Sequence, residues 1–463
     1  MAKALVALST GEVLGKILTL ITLAWVARAI GLESFGVFTF GMGLGVLLAA
    51  IPSLAPSSRM IQMVGRNIET VGVRLAAMTV LRLSFTLPAA LLAIPFILMR
   101  SDHIDRWTIA LLVASCLLDN TIKVWLAACT AIDRQPATAG VILAQRVLTL
   151  LFVAIALSTG PNSATVAASF ALAALLANIM MNLLSRHYGA KPDFRNMTWQ
   201  HVKEMLIAVP VVGGNSLLKE GLARIDVLLI GLLAGEIAVG IYGVAYRLME
   251  TALFVSWTLA RSLTPELVRA DNSHELGRPV RLGIVLMCAL YLPYGMVLAL
   301  EGNRLVELIF GPGYDVGNVL VSLSAAPLMF GLGHFASTTI FARNPDKIVP
   351  IATAVALIVN IAINAALLPV LESEAAALAK TAAFAIQALI LYIAVLRFTR
   401  PRGAHRGITA SVLATLVASI PLIFELPLIA GLLLAVALYL PTWFILSKKF
   451  DPWTTQWLKL LSG

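Results

Sequence analysis

The sequence predicts an all-α polytopic membrane protein of about fourteen transmembrane helices, arranged as two six-helix lobes in a parallel repeat plus two C-terminal helices. Three observations carry that prediction. Of 463 residues, 59% are hydrophobic and only 13% charged, where a soluble domain carries about a quarter charged residues; the mean hydropathy is +0.91. Apolar runs of about 20 residues recur from end to end, without the alternation of a membrane barrel. Basic residues gather in every second link between the runs.

The runs lie near 8–28, 37–58, 75–99, 107–130, 138–158, 164–184, 205–233, 237–264, 279–300, 316–341, 348–370, 374–396, 408–426 and 428–446. The opening stretch "MAKALVALSTGEVLGKILTLITLAWVARAIG" has no A-x-A-like cleavage site and its apolar run is too long for a signal peptide, so it reads as the first span. Arg59, Arg66 and Arg74, then Arg134, Arg186, Lys191, Arg195 and Lys203, and so on to Lys448 and Lys449, fall on one side. The positive-inside rule makes that side the cytoplasm and both termini cytoplasmic. Opposite links are poor in Lys and Arg, with Arg100, Arg106 and Arg304 as the exceptions.

The chain repeats itself at a spacing of about 205 residues. "GLESFGVF" from Gly31 answers "GEIAVGIY" from Gly235; "VRLAAM" at 73 answers "VRLGIV" at 280, each followed by "LP" within its span; "RQP" at 134 answers "RNP" at 343. Six spans is an even number, so both copies enter the membrane in the same direction. The expected organisation is an N-terminal lobe over 1–185, a cytoplasmic linker over 186–204, a second lobe over 205–397, two additional helices over 398–447 and a cytoplasmic amphipathic tail over 448–463. In the tail, "FDPWTTQWLKLLSG" alternates Trp453, Trp457 and Leu460 with polar residues, as an interfacial helix does.

A net charge of +10 does not imply nucleic acid, because the basic residues sit in membrane links. Cys116, Cys129 and Cys288 fall within spans without C-x-x-C spacing, and no His completes a zinc site, so neither disulfide nor metal is expected. "GEVLGKI" at 11 has the wrong spacing for a phosphate loop, with Ile17 where Ser or Thr is needed. In "GMGLG", Gly41 and Gly45 form a small-x-x-x-small packing face. His334 is the one histidine within a span, as a packing residue or a proton site.

The stretches "ARAIGLESFGVF", "RIDVLLIGLLAGEIAVGIYGVAYRL" and "ELIFGPGYDVG" resemble the polysaccharide-flippase (Wzx-type) branch of the multidrug/oligosaccharidyl-lipid/polysaccharide exporter superfamily. The resemblance covers nearly the whole chain and rests mostly on turn glycines and aromatics. It implies two six-helix lobes around a central cavity, alternating access, and outward flipping of a polyprenyl-diphosphate-linked glycan across the bacterial inner membrane. Two helices after the second lobe also occur in the related lipid II flippases, where they contribute a groove for the lipid tail.

Charges inside spans are the candidate site residues, since each costs about 2.5 to 3.5 kcal/mol at the bilayer centre and normally faces protein or a watery cavity. In "SLLKEGLARIDVLLIG", Lys219, Glu220, Arg224 and Asp226 occupy about half of the helix surface at ~100° per residue, leaving Leu218, Leu222 and Ile225 on the other half. Pro210, Gly213 and Gly214 precede them where a helix could bend. Glu220 and Arg224 also have the i, i+4 spacing of a self-neutralising pair. In the next span Arg247, Glu250, Phe254, Trp257 and Arg261 fit one stripe. Guanidinium groups bind phosphate oxygens in bidentate fashion and rings cover sugar faces; aromatic packing, and interfacial anchoring by Arg261, are the plainer readings. In the first lobe the deep charges are Glu12 with Lys16, Arg82, Asp119 with Lys123, and Arg146. Arg82 and Arg146 have no acidic neighbour in their own helix, and basic groups outnumber acidic ones overall, which favours an anionic head group.

The expected function is therefore a non-enzymatic flippase with a basic central cavity. Arg247, Lys219, Arg224, Arg82, Arg146, Lys16, Trp257 and Arg261 are the substrate-binding candidates, and Asp226, Glu220, Glu250 and Asp119 the candidates for coupling to sodium or protons. No cofactor is expected; the partners are the glycan lipid, membrane lipids and other polysaccharide-assembly proteins. The alternatives are an ion-coupled multidrug antiporter of the same fold, which needs an acidic or neutral cavity, and a membrane glycan polymerase, which needs a sizeable loop with placed carboxylates. The link 301–315 carries Glu301, Glu307 and Asp315 but reads more simply as a loop entering a span.

Overall fold

A computed structural model describes residues 2–55, 57–207, 209, 213–343, 347–424 and 426–450, with side chains from residue 14 onward except that of Gln135. Predictions for Pro210, for the side chain of Glu12, for the end of the "RNP" match and for the tail from 451 fall outside the described residues. All regular structure among the described residues is helical. By packing, the chain forms two compact units, Met1–Gly240 and Ile241–Gly463.

The first unit contains α1 (Ala2–Ile30), α2 (Leu32–Ala49), α3 (Ser57–Arg66), α4 (Val71–Leu98), α5 (His103–Ala131), α6 (Gln135–Thr159), α7 (Ser163–His187), α8 (Trp199–Leu206) and α9 (Gly214–Leu233). It ends inside α10 (Glu236–Thr251). At its centre α5 touches α2, α4 and α7, while α6 lies against α1 and α7, and α9 against α2. The packing face predicted at Gly41 and Gly45 is real: a methyl group at Gly41 would meet the backbone of Ile109, and one at Gly45 the thiol of Cys116, so α2 and α5 come this close only with glycine there.

The two turns matched by the repeat both hold their glycine at positive φ. Gly31 has φ 78° and Gly235 φ 87°, each just before a helix start, in the left-handed region where an L side chain is strained. The linker docks through α8: Arg74 at the start of α4 donates to Glu204 at 2.5 Å and holds that carboxyl below its ordinary range.

The second unit continues with α11 (Leu253–Arg269), α12 (Ser273–Phe310), α13 (Gly317–Leu323), α14 (Ala326–Arg343), α15 (Ile348–Val395), α16 (Ala404–Ile423) and α17 (Leu428–Phe450). Here α14 packs on α11, α12 and α15, and α16 pairs with α17 beside α12. The span expected at 237–264 is broken between α10 and α11. Tyr291 of α12 puts its hydroxyl into the break, donating to the Ala252 carbonyl at 2.9 Å and accepting from the Ser256 amide at 3.0 Å. A side chain inserted into the helical hydrogen-bond ladder is a recognised cause of a kink.

Among the described residues, eleven helices are long and apolar enough to cross a membrane. One of them, α15, is two spans joined at Glu372, whose φ of 45° and ψ of −122° are not helical. This separates the runs read at 348–370 and 374–396. With α1, and with α9, whose four charges set it apart from the eleven, the helices account for all fourteen predicted spans. The outward faces are those of a protein in lipid: Ile429, Leu433, Val436 and Leu440 of α17 are each more than half exposed at helical spacing. Cys116, Cys129 and Cys288 are buried free thiols.

Candidate functional site

Four of the deep charges of the first unit meet in one cavity of about 330 Å³, walled by α2, α5, α6 and α9. Asp119 and Lys123 enter from α5, Arg146 from α6 and Glu220 from α9. The i, i+4 spacing of Asp119 and Lys123 predicts a pair within one helix, but Asp119 accepts a hydrogen bond from Gln145 Nε2 across on α6 at 2.6 Å. Arg146 and Lys123 lie within electrostatic reach of Asp119, and Glu220 within reach of Lys123. The lining thus carries two carboxylates and two cations. Counting charges by depth does not show which of them share a wall, and in this cavity of the first unit the two signs are equal in number.

The cavity wall continues into a buried polar network through Ala49, Ser53 and Asn120, which line it. Asn120 donates through Nδ2 to the Ala49 carbonyl at 2.6 Å and to Ser53 Oγ at 2.5 Å. Arg82, which the sequence marks as a substrate ligand, is 3% exposed. Its guanidinium donates to the backbone carbonyl of Asn120 at 2.7 Å, to the Asn120 side-chain oxygen, to Ser57 Oγ at 2.9 Å and to the Ala55 carbonyl at 3.2 Å. In this structure Arg82 ties α4 to α5 and to the turn after α2, and the donors so engaged point at protein oxygens. Asn120 and Gln145 were not flagged in the sequence because a search for charges passes over amides.

The remaining candidates of this unit are dispersed. Lys16 is half-buried on α1, which packs beside α6. On α9, Lys219 is exposed, Arg224 half-buried and Asp226 fully buried. The apolar face of α9 meets α2 where Val227 fits against Gly43. The four charges of the "KEGLARID" stretch therefore have different surroundings, and only Glu220 reaches the cavity.

In the second unit Arg247 and Glu250 form an i, i+3 ion pair at 3.0 Å. Trp257 is edge-on to Phe330, with ring centres 6.4 Å apart, and His334 stacks on the other neighbour position of Phe330 at 5.9 Å. Phe330 also meets Phe384 at 5.3 Å. Arg261 stands exposed further along α11. The sequence reading missed Lys380, which is completely buried with its Nζ 5.5 Å from the ring centres of both Tyr246 and Phe384. The signal was there: Lys380 is the sole Asp, Glu, Lys or Arg between residues 375 and 396. A cation held between rings in a dry interior is stabilised by their negative faces. Among the described residues no group of His, Cys, Asp and Glu is disposed to hold a metal ion.

Residues 1–270 match the family model described as "Polysaccharide biosynthesis protein". The chain is similar in structure to a lipid II flippase, MurJ, in an inward closed conformation, with a TM-score of 0.80 at 12% identity over 96% of this chain and 99% of that one. It is also similar to an inward-facing multidrug resistance MATE family transporter of the MOP superfamily, with a TM-score of 0.64 at 15% identity over 89% and 99%. A third similar structure is a MOP superfamily transporter from Pyrococcus furiosus, for which a reversed polarity of the binding pocket suggests a different function; there the TM-score is 0.61 at 15% identity over 89% and 96%. At these identities the likeness is one of fold. No curated protein sequence matches the chain.

Proposed function

This chain belongs to the polysaccharide biosynthesis protein family, and from that premise we propose that it is a flippase moving a polyprenyl-diphosphate-linked oligosaccharide from the cytoplasmic to the outer leaflet of the bacterial inner membrane. Membership of that family on a transporter fold is the observation that carries the reading. The cargo serves assembly of O-antigen, capsule or exopolysaccharide, both termini are cytoplasmic, and the chain catalyses no reaction. Transport proceeds by alternating access.

In this reading Arg146 and Lys123 supply cations for the diphosphate and Asp119 with Glu220 carries the coupling proton or sodium ion. Guanidinium recognition of phosphate is charge-assisted and directional. Arg247, Lys219, Arg224, Lys16, Trp257 and Arg261 remain candidates for the glycan and its diphosphate, and Asp226 and Glu250 for coupling. Arg82 is assigned instead to positioning Asn120 in the cavity wall.

A second reading, an ion-coupled multidrug antiporter, is favoured by one observation: the cavity of the first unit is formally neutral, which suits a cationic drug better than a basic wall would. The discriminating experiment is mass spectrometry of lipids retained by the gently purified protein, comparing wild type with Arg146→Ala and Arg247→Ala. A polyprenyl-diphosphate glycan on wild type, lost from the variants, supports the flippase and names the cargo. Absence of that lipid, together with binding of a cationic dye in competition with protons or sodium, replaces it with the antiporter.

A further inference from the structure

We propose that the second unit carries a separate binding site for an anionic phosphate-bearing lipid, in an arginine-lined cleft between the start of α12 and the loop that joins α15 to α16. The cleft has a volume of about 680 Å³. Arg278 and Arg281 reach it from α12, one turn apart, and Arg397, Arg400 and Arg402 from the loop. His274 adds a sixth nitrogen group, and no acidic side chain lines the cleft. The nearest carboxylate in sequence, Glu275, is engaged by the Asn272 side chain at 2.8 Å and by the Asp271 amide at 3.1 Å.

Five arginines drawn into one cleft repel one another, and the fold holds them there. Thr399 donates to the Ser273 carbonyl at 2.5 Å, pinning the loop to the first residue of α12. Arg281 Nη1 donates to the Arg402 carbonyl at 3.4 Å and the Arg402 amide to the Arg400 carbonyl at 2.8 Å. Gly277 admits the loop so closely that an added methyl group would meet the Arg400 carbonyl at 3.1 Å. Arginines serving only to orient a helix in the membrane need no such framework. A preorganised cluster of guanidinium groups is what binding a phosphate anion requires.

The surroundings point to a lipid rather than a soluble anion. Three helix ends converge here, on the side of the membrane that carries the basic links. Leu396, 50% exposed, lines the cleft itself, and Ile393 and Leu389 follow it along one face of α15, 51% and 61% exposed. Spaced i, i+4 and i+7, they form an apolar track leading from the arginines into the bilayer. A head group in the cleft therefore has a path for its acyl chain. Basic clusters at the membrane surface attract anionic lipids in this way. The inference holds whatever the transported cargo is.

The test is native mass spectrometry and competition binding on the full-length protein in neutral detergent, with phosphatidylglycerol, phosphatidylcholine, undecaprenyl diphosphate and inorganic phosphate as probes. Wild type should retain phosphatidylglycerol in preference to phosphatidylcholine, more weakly as salt rises. The exposed pair Arg278→Gln with Arg400→Gln should weaken retention about 30-fold. A charge-matched control, Arg66→Gln with Arg195→Gln, should leave it unchanged, and thermal unfolding of both should match wild type. Displacement of phosphatidylglycerol by undecaprenyl diphosphate identifies the glycan carrier as a natural source of the phosphate; failure to displace it identifies bilayer phospholipid. Equal retention of the two phospholipids, equal losses in both double variants, or equal occupancy by inorganic phosphate alone would overturn the proposal.

Discussion

Gln145 donates its side-chain amide to the Asp119 carboxylate at 2.6 Å, joining α6 to α5 inside the charged cavity of the first unit. Asp119 is thus fixed from across the cavity, rather than by Lys123 one turn along its own helix. If Asp119 carries the coupling charge, Asp119→Asn keeps the size and most contacts of the side chain while removing the charge. Export of glycan per inserted protein should fall by about tenfold or more. Unchanged export in the variant removes Asp119 from the coupling role.

Arg82 should be a stability residue. Arg82→Ala deletes bonds to Asn120, Ser57 and Ala55 in a buried setting, at a cost of about 2 to 4 kcal/mol. Arg82→Lys should recover little, because an ammonium cannot fork to several oxygens at these angles. Thermal unfolding in detergent measures both. A variant as stable as wild type but inactive would return Arg82 to the substrate list.

Tyr291→Phe removes the hydroxyl that bridges the α10–α11 break, taking an acceptor from the Ser256 amide, while the Ala252 carbonyl keeps the Val255 amide. Unsatisfied buried groups cost about 1 to 3 kcal/mol. Hydrogen exchange at 252–256 should accelerate in the variant, with exchange in α16 and α17 unaffected.

Lys380→Met should separate stability from transport. The variant keeps the volume of the chain and loses the cation–ring contacts to Tyr246 and Phe384, worth about 0.5 to 2 kcal/mol, so the melting temperature should fall only modestly. A lysine buried within a membrane span is expected to serve transport, and export should fall. Full export in Lys380→Met would show the lysine to be structural.

The docking of α8 should depend on pH. Arg74 holds the Glu204 carboxyl below its ordinary value of 4.5. An acid whose folded value is depressed stabilises the fold above its unfolded value, and that contribution is lost as pH falls through the folded value. At neutral pH, wild type should protect the amides of 199–206 better than Glu204→Gln does. The difference should shrink below about pH 4.5 and vanish in stronger acid.

The sequence by itself determined the class of protein and its spans. Those follow from properties that each segment carries alone: about 20 apolar residues cross a bilayer in any context, and Gly31 and Gly235 supply the positive φ that the turn before each following helix requires. Even the turn at Glu372 was legible, as the gap between two apolar runs. The tertiary structure decided which charges share a wall. Helical spacing pairs Asp119 with Lys123 and Glu220 with Arg224, but the packing of α5, α6 and α9 gives Asp119 to Gln145 and carries Glu220 to the same cavity. Arg82 looked unpartnered because its partners are backbone carbonyls, an amide and a serine hydroxyl, none of which a charge pattern displays. A side chain's depth is written in its own helix, whereas its partner is set by the rotation of the neighbouring helices, and that rotation depends on contacts such as Gly45 against Cys116 that are distant in the chain.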